Sequence, residues 1–172
     1  MSLAFIALGS NIGDGRANLR EAWAKLGEIP EITLLALSSP YRTRPEEKST
    51  WRKEGRTLSE QWFTNAAGAL ETRLSPEELL DSLKKIEEAM GRDRQETVDR
   101  AIDLDIIFFD ELVVDERSLV LPHPEMQHRR FVLAPLDEIA PDRAHPISGL
   151  TVRQLYRQLP PASGDIQQTG WK

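Results

Sequence analysis

Asp103 and Asp105 are the residues best placed by type and spacing to do chemistry. They sit in the run Ile102-Asp103-Leu104-Asp105-Ile106. On a strand, alternate side chains share a face, so Ile102, Leu104, Ile106 and Phe108 are expected to line a core side. The two aspartates then emerge together on the other side, roughly 7 Å apart by the strand repeat. Two carboxylates so placed repel each other and lose solvation. A hard cation between them removes both penalties, and magnesium favours carboxylate oxygens, water and substrate phosphates. The alternative is a strand with a solvated polar face. Arg92, Arg94 and Arg100 precede this strand, and Arg129 and Arg130 follow it, with His123 and His128 close in sequence. Forked guanidinium donors suit phosphate oxygens. Singly, each arginine could merely offset Asp93, Glu96 or Asp99; the set beside the acidic pair points to a polyphosphate.

Other motifs carry less. The run Gly9-Ser10-Asn11-Ile12-Gly13-Asp14-Gly15 lacks the Gly-Lys-Ser/Thr ending of a phosphate loop and does not fit Gly-x-Gly-x-x-Gly. It reads as a tight strand-to-helix turn. His145 has no evident partner and reads as a surface loop residue. Trp23 reads as core.

The elements that must position these residues follow from periodicity. Leu3 to Leu8 is a buried strand. Leu19, Trp23 and Leu26 recur at helical spacing before a stop at Gly27. Ile32 to Leu37 and Trp62 to Leu70 are strands, separated by the charged stretch Arg44 to Gln61, which reads as a long solvated loop. Ser75-Pro76-Glu77-Glu78 has the form of a capping box, and Leu79, Leu83, Ile86 and Met90 then make one apolar helix face ending at Gly91. The acidic strand follows, with a turn near Asp115-Glu116, the segment Leu119 to His123 and a short helix over Thr151 to Leu159. This order predicts an α+β, ferredoxin-like sandwich: a mainly antiparallel sheet with helices on one face and the functional loops on the other. One domain is expected over residues 1–160, with a polar, loose tail over 161–172.

Composition sets the class. The chain has 172 residues, 40% of them hydrophobic, with net charge -6. An acidic balance argues against a nucleic-acid partner or a membrane-surface role. Without cysteine there is no disulfide and no thiolate chemistry. No apolar run reaches the roughly 20 residues of a membrane span. A soluble cytoplasmic protein is expected, acting on small molecules as a monomer or weak homodimer.

The ordered set Ala7-Leu8-Gly9-Ser10-Asn11, Ser39-Pro40-Tyr41-Arg42-Thr43, Asn65-Ala66-Ala67, Ile86-Glu87, Gly91-Arg92, Asp103-Leu104-Asp105-Ile106 and Pro122-His123-Pro124-Glu125-Met126 resembles the 6-hydroxymethyl-7,8-dihydropterin pyrophosphokinase family. The likeness runs from about Leu3 to about Pro141. It implies transfer of pyrophosphate from ATP to the hydroxymethyl group of a reduced pterin, with release of AMP, in folate biosynthesis. It also implies two Mg2+ ions on Asp103 and Asp105. Arg92 and Arg100 would serve the transferring group, and Glu87, Arg94, Ile106, His123 and Arg129 would contact ATP. Thr43, Phe63, Asn65 and Phe131 would hold the pterin, Asn65 reading its polar edge and the two phenylalanines sandwiching the ring. Both phenylalanines could equally be plain core. The chain departs from the family at Val98-Asp99-Arg100, where an aromatic-Gly-Pro-Arg run is usual; Arg94 is the reserve for Arg100. No side chain stands out as general base. The rival classes are a pterin- or nucleotide-binding module without catalysis and a two-metal nucleotidyl transferase.

Overall fold

The computed structural model describes residues 1–44, 62–91, 101–161 and 166–172. Its centre is β1 (Ser2–Ser10) beside β4 (Phe63–Thr72), the two longest strands. The sheet order is β5-β1-β4-β3-β8, with β5 (Asp103–Phe109), β3 (Tyr41–Thr43) and β8 (Ile166–Gln168). A further strand, β2 (Ile32–Leu37), pairs with the far half of β4. The pairings are antiparallel. A separate ribbon joins β6 (Val114–Asp115) to β7 (Val120–Leu121).

Strand alternation divides the core in two. Ala4, Ile6, Leu8, Ala66, Leu70 and Leu104 point to one face and meet α1 (Gly15–Gly27) and α2 (Pro76–Ala89) through Leu19, Leu26, Leu79 and Leu83. This is the expected sandwich. Asp14 caps α1 by accepting from Ala17 N at 3.1 Å, and the capping box of α2 is complete in both directions. Trp23 packs on this side against Gly68, where an added Cβ would lie 2.3 Å from the indole.

The opposite face carries helices too. Phe5, Ala67, Ala69, Ile107 and Phe108 pack there with α3 (Arg130–Ile139) and α4 (Val152–Gln158) through Val132, Leu133, Leu136, Val152 and Leu155. Helix α4 lies within the expected span Thr151 to Leu159, whereas α3 is unanticipated, its apolar run being interrupted by Pro135. Proline removes a helix donor and normally argues against a helix interior. Here the burial of Val132, Leu133 and Leu136 outweighs that cost.

Phe108 is a correction within β5. Phe5 pairs with Phe108 and Ile6 with Ile106, so Ile107 is an extra residue in the ladder. Such a bulge reverses the alternation beyond it. Phe109, not Phe108, therefore joins Leu104 and Ile106 in the α1/α2 core, while Phe108 meets Phe5 edge-on at 6.1 Å.

The tail also differs from expectation. Ile166, Gln167 and Gln168 pair with Thr43, Arg42 and Tyr41. Thr169 N donates to Pro40 O at 2.9 Å, and Trp171 Nε1 donates to Ser38 O at 3.1 Å. A short polar strand has no apolar alternation to reveal it; its backbone supplies the contacts. His145 is likewise buried rather than on the surface. Its Nδ1 accepts from Ile147 N and Ser148 N, and its ring stands edge-on to Phe108.

Candidate active site

Register places the key residues in one row. Across the sheet, Tyr41 pairs with Asn65, Asn65 with Gly9, and Gly9 with Asp103. The next row is Ala67, Ala7 and Asp105. All share the face that α3 covers further along. The expected pairing of Asp103 and Asp105 on one side of β5 is met, with Leu104 buried on the other.

Asn65 is fixed within this row. It is buried, and its Nδ2 donates to Thr43 Oγ1 at 2.7 Å. Its Oδ1 lies over Gly9, only 3.0 Å from where a Cβ would stand. A larger residue than glycine at position 9 would push the amide away. Phe63 lies two residues before Asn65 on the same strand face. Phe131 opens α3 and packs at the edge of the second core. Both rings are half-buried, so each keeps an open part.

The bulge at Ile107 serves the site as well. Its carbonyl accepts from His123 N at 3.0 Å, which ties the loop after β7 to β5. His123 Nδ1 accepts from Glu125 N at 3.2 Å, leaving Nε2 as the protonated nitrogen of the neutral ring. Burial holds the His123 pKa below its ordinary value. Arg129 lowers it further, while Glu125 and Asp103 pull the other way. Arg129 and Asp103 thus both lie near enough to His123 to act on it electrostatically. The Arg129 guanidinium also lies 5.6 Å from the Phe131 ring centre, whereas Arg130 turns to Tyr156 on α4.

Two expected nucleotide contacts sit deeper. Glu87, on α2, is buried, and its Oε1 accepts from Leu104 N at 2.8 Å. The Ile106 side chain is buried in the α1/α2 core, away from the aspartates, so only its backbone is available to a ligand on their face. Arg92, Arg94 and Arg100 lie outside the described residues, as does nearly all of the stretch Arg44 to Gln61. Among the described residues no group of three or more His, Asp or Glu could hold a metal. Two carboxylates nonetheless fit magnesium, which typically takes one or two from the protein and completes its shell with water and substrate phosphate.

One cluster escaped the sequence analysis. Glu138 on α3 accepts from Ser39 N, Ser39 Oγ and Tyr41 OH. Its only signal is the Ser39-Pro40-Tyr41 turn, which names no partner a hundred residues away. No described helix is long and apolar enough to cross a membrane.

A family model described as 7,8-dihydro-6-hydroxymethylpterin-pyrophosphokinase matches residues 5–141. The 2-amino-4-hydroxy-6-hydroxymethyldihydropteridine pyrophosphokinase of Methylorubrum extorquens is 42% identical over 163 residues, covering 94% of this chain and 96% of that one. The protein of the same name from Bacillus subtilis is 40% identical, covering 80% and 78%. Among solved structures, wild-type HPPK-DHPS of Plasmodium falciparum with pteroate superposes with a TM-score of 0.70 at 17% identity, which bears on the fold alone. The chain covers 44% of that longer protein, with 91% of its own length aligned.

Proposed function

The chain belongs to the 7,8-dihydro-6-hydroxymethylpterin-pyrophosphokinase family, and from that premise we propose how its site performs the reaction. It is an ATP-dependent diphosphotransferase of folate biosynthesis. It moves pyrophosphate from ATP to the hydroxymethyl group of 6-hydroxymethyl-7,8-dihydropterin and releases AMP. The observation that carries the assignment of roles is the row Asn65–Gly9–Asp103. It sets a ring-reading amide two strand spacings, roughly 10 Å, from a phosphate-side carboxylate on one open face.

On this reading the pterin lies between Phe63 and Phe131, whose faces suit a flat heteroaromatic. Asn65 both donates to and accepts from its polar edge, with Thr43 beside it. Asp103 and Asp105 would hold two magnesium ions, which would supply positive charge against the phosphate oxygens. His123 and Arg129 face the nucleotide phosphates, and the backbone at Ile106 lies toward the adenine. Glu87 holds Leu104, and hence the spacing of the two aspartates, from behind. The hydroxyl oxygen attacks the β-phosphorus, the bond from that phosphorus to the bridging oxygen of the α-phosphate breaks, and the hydroxyl proton is lost. Arg92 and Arg100, with Arg94 in reserve, supply positive charge as AMP leaves.

The test is product identity. Protein, magnesium, ATP and the pterin alcohol should yield AMP and the pterin diphosphate in equal amounts. Release of ADP instead would make the enzyme an ordinary kinase and overturn the reading.

A further inference from the structure

The residues assigned to the ring pocket come from different parts of the fold. Thr43 belongs to β3, a strand of three residues. Phe131 belongs to α3. A strand this short has few ladder bonds, and its outer neighbour β8 is equally short. Beyond its pairing with β4, a direct bond from α3 would tie it to that helix.

Glu138 does so. It lies seven residues after Phe131, close to two helical turns and roughly 10 Å along α3, so both side chains leave nearly the same stripe of the helix. Glu138 Oε1 accepts from Ser39 N at 2.9 Å and from Ser39 Oγ at 2.8 Å. Its Oε2 accepts from Tyr41 OH at 2.8 Å, with Gln168 Nε2 3.5 Å away. One carboxylate thereby gathers the entry to β3, the Tyr41 end of the Tyr41–Asn65 row and the edge strand β8. Burial and the adjacent Glu138 hold the Tyr41 phenol above its ordinary pKa, so it remains a donor through the working range. Hydrogen bonds to an ionised acceptor are the stronger kind.

We propose that Glu138 is a positioning residue for the pterin substrate: by clamping Ser39 and Tyr41 to the helix that carries Phe131, it sets the distance from the β3 side of the ring pocket, at Thr43, to the Phe131 wall. The inference rests on the pterin reading above. Glu138 touches neither substrate nor metal, and its effect runs through β3 to Thr43 and Asn65.

The test compares Glu138→Ala, Glu138→Gln and Tyr41→Phe in the full chain. In Glu138→Ala the KM and calorimetric Kd for the pterin alcohol should rise about tenfold, with the KM for ATP within about twofold. Tyr41→Phe should show a smaller shift of the same kind. The double variant should be no worse than Glu138→Ala alone, because both remove one linkage. A pterin Kd unchanged in Glu138→Ala, or equal losses for ATP and pterin, would overturn the clamp. Should Glu138→Ala fail to fold, Glu138→Gln and Tyr41→Phe carry the same comparison. Hydrogen exchange at the amides of residues 41–43 reads the clamp without turnover. It should quicken in Glu138→Ala, and unchanged exchange refutes the proposal. Wild-type protein that releases no AMP while this exchange still quickens would refute the pyrophosphokinase reading instead, leaving the clamp in place.

Discussion

The buried carboxylate of Glu87 accepts a hydrogen bond from the backbone N–H of Leu104 at 2.8 Å, midway between Asp103 and Asp105. Among the described strands β5 is the last of the sheet on its side, and α2 supplies an acceptor there in place of a neighbouring strand. We predict that Glu87→Ala destabilises the fold by roughly 1–3 kcal/mol, the cost of a buried donor left unpaired. It should also raise the magnesium concentration needed for half-maximal rate, because the aspartates lose their spacing. Urea denaturation and a magnesium titration measure the two effects. Glu87→Gln keeps an acceptor and should recover most of both; if it behaves like Glu87→Ala, the hydrogen bond is not the cause.

Asp103→Ala and Asp105→Ala are expected to have the opposite profile. Each removes one of two neighbouring carboxylates on an open face, so repulsion in the metal-free protein falls and folding should survive. Turnover should drop at least about a hundredfold, since metal-borne charge stabilisation is worth several kcal/mol. Near-normal activity of either variant at ordinary magnesium would remove that aspartate from the metal site.

For Asn65→Ala the discriminating quantity is the ratio of two affinities. The amide is buried and held by Thr43, so its loss leaves substrate polar groups unpaired at roughly 1–3 kcal/mol. Pterin binding should weaken by that amount while ATP binding hardly changes. Calorimetry on both ligands decides, and equal losses would place Asn65 outside the ring pocket.

Much of the fold, and the shared face of Asp103 and Asp105, is legible in the sequence, and the reasons are specific. Asp103 and Asp105 share a face because nothing interrupts β5 between them. Phe108 was misplaced because the extra residue, Ile107, comes after them, and a bulge has no hydrophobic signature. Helix α3 was missed because Pro135 breaks the local rule that its burial then overrides. The tail over 166–168 was missed because an edge strand of Gln and Ile pairs through its backbone. Glu138 was missed because its donors lie 97 and 99 positions away, and charge alone does not say what a carboxylate will meet.

His145 gives a pH dependence with a definite sign. Burial holds its pKa below the ordinary value near 6.5, and the unprotonated Nδ1 accepts from Ile147 N and Ser148 N. As pH falls through the ordinary value, the unfolded chain takes up a proton that the native ring resists. Stability from this residue is therefore complete above that value and declines below it, by at most about 1.4 kcal/mol per pH unit. Chemical denaturation between pH 5 and 7.5, about the histidine range, should show that slope in the wild type and a shallower one in His145→Asn. Identical slopes would assign the dependence to other groups.

The last prediction concerns Trp171. Its indole Nε1 donates to Ser38 O at 3.1 Å, and the Arg20 guanidinium lies 5.5 Å from its ring centre. It packs against the α1/α2 core, while Ser38 Oγ accepts from Ala67 N in β4 at 2.9 Å. The residue therefore pins the end of the chain to both α1 and the turn that leads into β3. Holding that end helps keep β8 along β3, and β3 carries Thr43. Trp171→Ala should lower stability by roughly 1–3 kcal/mol, as expected for a partly buried aromatic with one lost hydrogen bond. It should also release β8, so that amides at the β3–β8 ladder exchange faster than those between β1 and β4. A Trp171→Phe variant keeps the apolar ring and loses the donor, which separates packing from the bond to Ser38. Uniformly faster exchange across the whole sheet in Trp171→Ala would mean that the residue supports global stability alone and that the edge of the ring pocket does not depend on it.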